Sequence, residues 1–230
     1  SRPPGSAKHP RQAGKDRVMR ILENHGLVWL SKPKTGSTTI RRMLDPYATV
    51  TSGNARPYYH HSSLRMCIED MDGAGIDWSG FKFVVCERNP FTLIPSLWRY
   101  SKVNSAYQKF WEQGYDKSLP LMSFADFLAE PRSWKWFNQR HRLELYTRAP
   151  IPNPVHVFQI EDPAPLVAFL NGEIGAGAIP EVLPRDNSSR YDEATLEAIR
   201  AAFADAAVRA RIRKVFATSF AHFDYRNPWR

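Results

Sequence analysis

Apolar residues along this chain recur in two periods. Three short continuous apolar runs, 26–31 (GLVWLS), 81–86 (FKFVVC) and 155–160 (VHVFQI), have the length and uniformity of strands covered on both faces. Between them the spacing turns helical. Over 38–44, Ile40, Met43 and Leu44 share one face, as helical periodicity requires. Further helices are predicted over 62–71, 91–103, 134–146 and 165–170, with Pro95 close to the start of the second, where proline is tolerated. Ser123-Phe-Ala-Asp126 is a capping box opening a short helix. The stretch from Asp192 onward is Ala-rich and helical, with a break near Asp205. Strand–helix alternation predicts an α/β fold, a three-layer sandwich around a central parallel sheet. Ligands of such sheets bind at the carboxyl ends of strands. That rule singles out the loop after Ser31 and the loop after Cys86.

Composition narrows the class. The 230 residues are 43% hydrophobic, 13% aromatic and 24% charged, which excludes a mostly disordered or collagen-like chain. The expected organisation is a flexible basic tail over 1–17 and one domain over 18–230, a length suited to a single core. The apolar runs fall far short of the roughly 20 residues that span a bilayer, so no membrane insertion of this chain is expected. Cys67 and Cys86 form no CxxC zinc pattern; they fit a reducing, cytoplasmic setting and leave one disulfide open. The net charge is +9, and residues 1–20 hold six basic side chains against Asp16 alone. Such a segment reads either as an arm for a polyanion or as a solvated tail. No apolar segment follows it, so it is not a complete secretory signal. The chain starts with Ser, so removal of an upstream anchor or signal stays open.

The first loop reads Ser31-Lys32-Pro33-Lys34-Thr35-Gly36-Ser37-Thr38-Thr39. Gly36 lets backbone approach an anion closely. The unsatisfied N–H groups of a helix start point outward, with the positive end of the helix dipole behind them. Ser37, Thr38 and Thr39 add hydroxyl donors and Lys34 a mobile charge. The order is not that of a Walker A loop, because Ser37 rather than lysine follows Gly36. A kinase or ATPase is therefore disfavoured, and an ordinary N-capped helix is the bland alternative. In the second loop, Arg88 ends a buried strand and Ser96 follows eight positions later, two turns into a helix. A guanidinium there can grip phosphate as a fork, and the serine hydroxyl can complete the contact. Each residue singly has a plain structural reading, an ion pair for Arg88 and a backbone-bonded hydroxyl for Ser96.

With both loops in view, the chain resembles the sulfotransferases that use 3′-phosphoadenosine 5′-phosphosulfate (PAPS), in their carbohydrate-type branch. PKTGSTT resembles that family's 5′-phosphosulfate loop, and ERNPFTLIPSLWRY its 3′-phosphate motif. His61-Ser-Ser-Leu-Arg resembles the branch's histidine-led helix; Asn187-Ser-Ser-Arg-Tyr-Asp and the terminal FAHFDY resemble its C-terminal region. The likeness runs from about Leu27 to Tyr225. It implies a P-loop-like sulfotransferase fold, PAPS as donor and no metal. It implies Lys34 at the transferring sulfuryl group and Thr35, Gly36, Ser37, Thr38 and Thr39 around the 5′-phosphosulfate. Arg88 and Ser96 would hold the 3′-phosphate, with Ser189 as a further nucleotide contact. Three departures stand out. Glu87 precedes Arg88 where the family has an apolar residue, so it can tie up the guanidinium. Pro95 sits beside Ser96, and Ser219 replaces an acid.

An attacking hydroxyl must lose its proton, and histidine suits that near neutral pH. Of seven histidines, His60 and His61 lie between the two loops in sequence, after Tyr58-Tyr59 and before a helix. The resemblance places the base at His61, with His60 as the fallback. His141 and His222 fall in predicted helices, where packing is the simpler role. Trp98, Tyr100, Tyr107, Phe110, Trp111, Trp134, Trp136 and Phe137 offer either an aromatic acceptor cleft or core. Gln139, Arg140 and Arg142 offer either an anionic-saccharide site or a solvated helix face. The expected activity is in-line transfer of a sulfuryl group to an acceptor hydroxyl, on a carbohydrate, with no nucleic-acid partner. The alternatives are a nucleotide-dependent phosphotransferase and a non-catalytic polyanion-binding module. The family's branch also admits a Golgi-lumen setting if an anchor preceded Ser1.

Overall fold

The computed structural model describes residues 19–51, 61–103, 122–183 and 191–229. The basic tail, His60, Ser189, Tyr58, Tyr59, Tyr107, Phe110, Trp111 and the 187–190 part of the C-terminal match lie outside these residues. Five strands form one sheet: β1 (Arg20–Leu22), β2 (Leu27–Leu30), β3 (Val50–Thr51), β4 (Lys82–Glu87) and β5 (Val155–Gln159), in the order β3-β1-β2-β4-β5. The helices are α1 (Ser37–Leu44), α2 (Leu64–Gly73), α3 (Pro90–Val103), α4 (Phe124–Ala129), α5 (Pro131–Arg140), α6 (Glu144–Thr147), α7 (Ala164–Ile174), α8 (Glu193–Ala204), α9 (Ala206–Val215) and α10 (Ala217–His222).

The three predicted apolar runs are the three parallel strands, with β2 beside β4 and β4 beside β5. The sheet as a whole is mixed rather than parallel, which corrects the expectation. β1 and β2 are antiparallel because one 3₁₀ turn, Glu23–His25, ended by Gly26 at φ 55°, returns the chain directly; a parallel pair needs a long crossover. The predicted helix over 134–146 is also two helices, α5 and α6, broken where His141 leaves helical geometry at φ −123°. The break near Asp205 is present, and that residue's carboxylate caps α9 by accepting from the Ala207 N–H at 2.7 Å. Among the described residues no helix is long and apolar enough to cross a membrane.

Side-chain alternation divides the strands between two cores. Val28, Leu30, Phe83 and Val85 face α2 and α6. Leu27, Trp29, Val84 and Cys86 face α1 and α7. Cys67 and Cys86 therefore fall on opposite faces of the sheet, and both are free thiols. A third core contains no strand residue. It gathers α3, α4, α5, α8 and α9 around Phe91, Phe124, Phe137 and Phe203. Trp98, Trp134, Trp136 and Phe137 are all buried in it, so these four aromatics pack the core rather than line a cleft.

This helical core fixes the helix that follows Arg88. Phe203 of α8 meets Phe91 and Phe124 edge-on at 5.4 and 5.5 Å between ring centres. Phe203→Ala is expected to lower stability by about 3–5 kcal/mol, the usual cost of removing a buried phenyl ring, measured by urea unfolding.

Candidate functional site

The loop between β2 and α1 is held in an uncommon backbone shape. Lys34 and Gly36 both have positive φ, 64° and 75°. The Thr35 hydroxyl turns inward and donates to the Lys32 carbonyl at 2.9 Å, so of Thr35 only the backbone can serve an outside ligand. Ser37, Thr38 and Thr39 stand partly exposed in the first turn of α1. Gly36 is required twice over. A Cβ there would lie 2.7 Å from Cδ1 of Ile160, just past β5, and φ is left-handed. The Lys34 ammonium lies 4.2 Å from the centre of the Tyr100 ring. Burial, then the nearby Arg88 charge, lowers its pKa to about 8.

The second loop touches the first. Arg88 donates from Nη1 to the Lys34 carbonyl at 3.2 Å and from Nε to Thr92 Oγ1 at 3.0 Å. Burial lowers its pKa, and the Glu161 carboxylate and Tyr191 oppose that shift. Glu87 does not tie up the guanidinium, contrary to expectation. Its Oε1 accepts from Lys32 Nζ at 2.6 Å and from the Arg88 backbone N–H at 2.8 Å. Ser96 is buried on α3 and makes no hydrogen bond with Arg88. The Asn89 side chain accepts from the Phe91 N–H at 3.0 Å and donates to the Arg226 carbonyl at 2.7 Å. Glu161 accepts from the Asn89 N–H at 3.0 Å.

His61 closes the group. Its Nδ1 lies 2.8 Å from the Ser31 carbonyl oxygen. A carbonyl can only accept, so Nδ1 carries the hydrogen, and in the neutral ring the lone pair is on Nε2. His61 is thereby fixed to the first residue of the anion loop, just ahead of α2, which Ser63 caps. His141, expected in a helix interior, is instead fully buried at the α5–α6 break. Burial first, then Lys32, His61 and Arg140, hold its pKa well below the usual histidine value. Gln139 and Arg140 are exposed on α5, and Arg142 pairs with Glu144 at 2.8 Å.

Sequence reading missed Glu161, Thr92 and Asn89. The strand-end rule, applied to the third apolar run as well, points to Glu161. Among the described residues no group of three His, Cys, Asp or Glu side chains is placed to hold a metal. A cleft of about 220 Å³ lined by Ser79, Phe81, Lys82 and Pro152 to Pro154 lies at the amino ends of β4 and β5. That is the far end of the sheet from both loops, and its Lys82 is engaged by Glu173 at 2.6 Å.

Gly36→Ala is expected to cost about 1–2 kcal/mol for the left-handed backbone, with a further steric penalty from Ile160. Adding Ile160→Ala should remove the steric part alone, a coupling that a double-mutant cycle of urea midpoints reads. No family model matches this chain, and no curated protein and no solved structure matches it either.

Proposed function

We propose that the chain is a sulfotransferase of P-loop-like fold that moves a sulfuryl group from PAPS to an acceptor hydroxyl, on a carbohydrate. The observation that carries this reading is the direct hydrogen bond from Arg88 to the Lys34 carbonyl. It makes the two cationic loops one site, as a donor with a phosphate at each end of its ribose requires. In this reading the first-turn N–H groups of α1 and the Ser37, Thr38 and Thr39 hydroxyls hold the 5′-phosphosulfate. Arg88 holds the 3′-phosphate. His61 Nε2 takes the acceptor proton as the acceptor oxygen attacks sulfur. The bond from sulfur to the bridging oxygen breaks opposite. Charge collecting on that oxygen is neutralised by Lys34, and 3′-phosphoadenosine 5′-phosphate leaves.

Binding and chemistry then separate by residue. 3′-Phosphoadenosine 5′-phosphate should raise the melting temperature of the protein, by linkage. Arg88→Ala should abolish most of that rise. His61→Ala should keep the rise and lose turnover by roughly 10²-fold or more, followed by mass spectrometry of a panel of hydroxylated acceptors. Absence of any thermal shift with the wild-type chain would sink the reading.

The Lys34 pKa of about 8 gives a pH dependence. The ammonium is charged below that value and loses its proton above it. kcat/KM, which reports the ligand-free protein, should therefore fall as pH rises through about 8. Lys34→Arg, slower at neutral pH, should lose that alkaline limb, because arginine stays protonated.

A further inference from the structure

The Lys32–Glu87 ion pair belongs to neither cationic grip, yet it lies under both. Each side chain is wholly inaccessible to solvent. A buried pair forfeits two hydration shells, and an apolar pair of similar volume is often at least as stable. Here the compensation is incomplete. Glu87 Oε2 has no hydrogen-bond partner among the described residues, and neither do the buried Ser219 and Tyr225 hydroxyls. Burial raises the Glu87 pKa, and Ser219 lies close enough to oppose that shift without cancelling it; burial, then the Glu87 carboxylate, raises the pKa of Tyr225. Stability alone therefore does not account for the pair.

Its connections do. The β2–β4 register sets Leu30 opposite Val85, and two residues on, Lys32 just past β2 meets Glu87 at the end of β4. Glu87 Oε1 receives both Lys32 Nζ and the Arg88 N–H. The Lys32 carbonyl receives the Thr35 hydroxyl. The Arg88 guanidinium reaches back to the Lys34 carbonyl. These bonds form a closed ring through Glu87, Lys32, Lys34 and Arg88. Opening it at the ion pair leaves the 3.2 Å Arg88–Lys34 bond to hold the first loop against the arginine turn without the pair beneath it.

We infer that Lys32 and Glu87 are positioning residues, whose buried pair fixes the spacing between the Lys34 grip and the Arg88 grip rather than adding to overall stability. The identity of the ligand, a 3′,5′-bisphosphorylated nucleoside, rests on the function proposed above; the positioning itself does not.

The test is the double variant Lys32→Met, Glu87→Met, which replaces the pair with two unbranched apolar side chains. It should melt no lower than the wild type. Amide hydrogen exchange over 34–36 and at Arg88 should nevertheless quicken by roughly tenfold, while exchange in β4 stays as it was. The affinity for 3′-phosphoadenosine 5′-phosphate should drop roughly tenfold, and that for adenosine 5′-phosphate by less. A double variant that folds with unchanged loop exchange overturns the inference. So does one that fails to fold, since the pair would then be there for stability. A wild-type chain that ignores both nucleotides defeats the proposed function instead, and the exchange rates still decide the positioning without any ligand.

Discussion

Leu30 stands opposite Val85 in the parallel β2–β4 ladder, and that register decides what meets above the sheet. Neighbouring strands lie about 4.8 Å apart, so the chains leaving two level strand tips run side by side. Lys32 then falls within 2.6 Å of Glu87, and Arg88 reaches the Lys34 carbonyl. A one-residue slip of β2 would exchange its faces, sending Trp29 toward α2 and Val28 toward α1. Both cores are filled by the present alternation. The same packing that makes the sheet therefore aligns the two loops.

Alignment brings three cations together, and each is accommodated differently. Lys32 is countered by a buried carboxylate. Arg88 lies in the field of Glu161, and two of its five N–H donors are taken by Thr92 and a carbonyl. Lys34 has the face of Tyr100 and a proton held less firmly than usual. What is left uncompensated is concentrated on Lys34 and the first turn of α1, where Gly36 at φ 75° opens the backbone. In the proposed reading, a multiply charged anion placed there would relieve a repulsion already built into the fold, which is what preorganisation means for such a site.

The sequence was most legible where a pattern is local. The three apolar runs, the Ser123 cap and the stop at Asp205 are each set by residues within a few positions. It was least legible where a residue's role depends on a partner far along the chain. β1 is three residues long and begins with Arg20, which reads as surface; Asp45 pairs with it and lets it be buried. Lys32 reads as loop polarity until Glu87 is set beside it. Trp134, Trp136 and Phe137 suit a cleft or a core equally well in sequence, and only the docking of α8 and α9 makes them core. For the candidate site, Lys34, Gly36 and Arg88 were named from their own neighbourhoods, and His61 from the resemblance. Glu161 and Asn89 act through contacts with segments more than 70 residues away.

The two grips also have different supports. The Lys34 loop is rooted in the sheet, pinned by Ile160 at the end of β5 and by His61 on the Ser31 carbonyl. The Arg88 turn begins on the sheet but opens α3, whose apolar face belongs wholly to the helical core. Its first residues are further tied to the last segment of the described chain. Asn89 donates to the Arg226 carbonyl, and the Trp229 indole donates to the Phe91 carbonyl at 2.8 Å. The seam between sheet and helical core thus passes between Lys34 and Arg88. The Arg88–Lys34 bond, the Lys34–Tyr100 contact and the bonds of Glu161 to Asn89 and Thr92 are drawn across it at this point. In the proposed reading, an anion gripped from both sides would add further bonds over the same seam, so that occupancy of the site and docking of the helical core would reinforce each other.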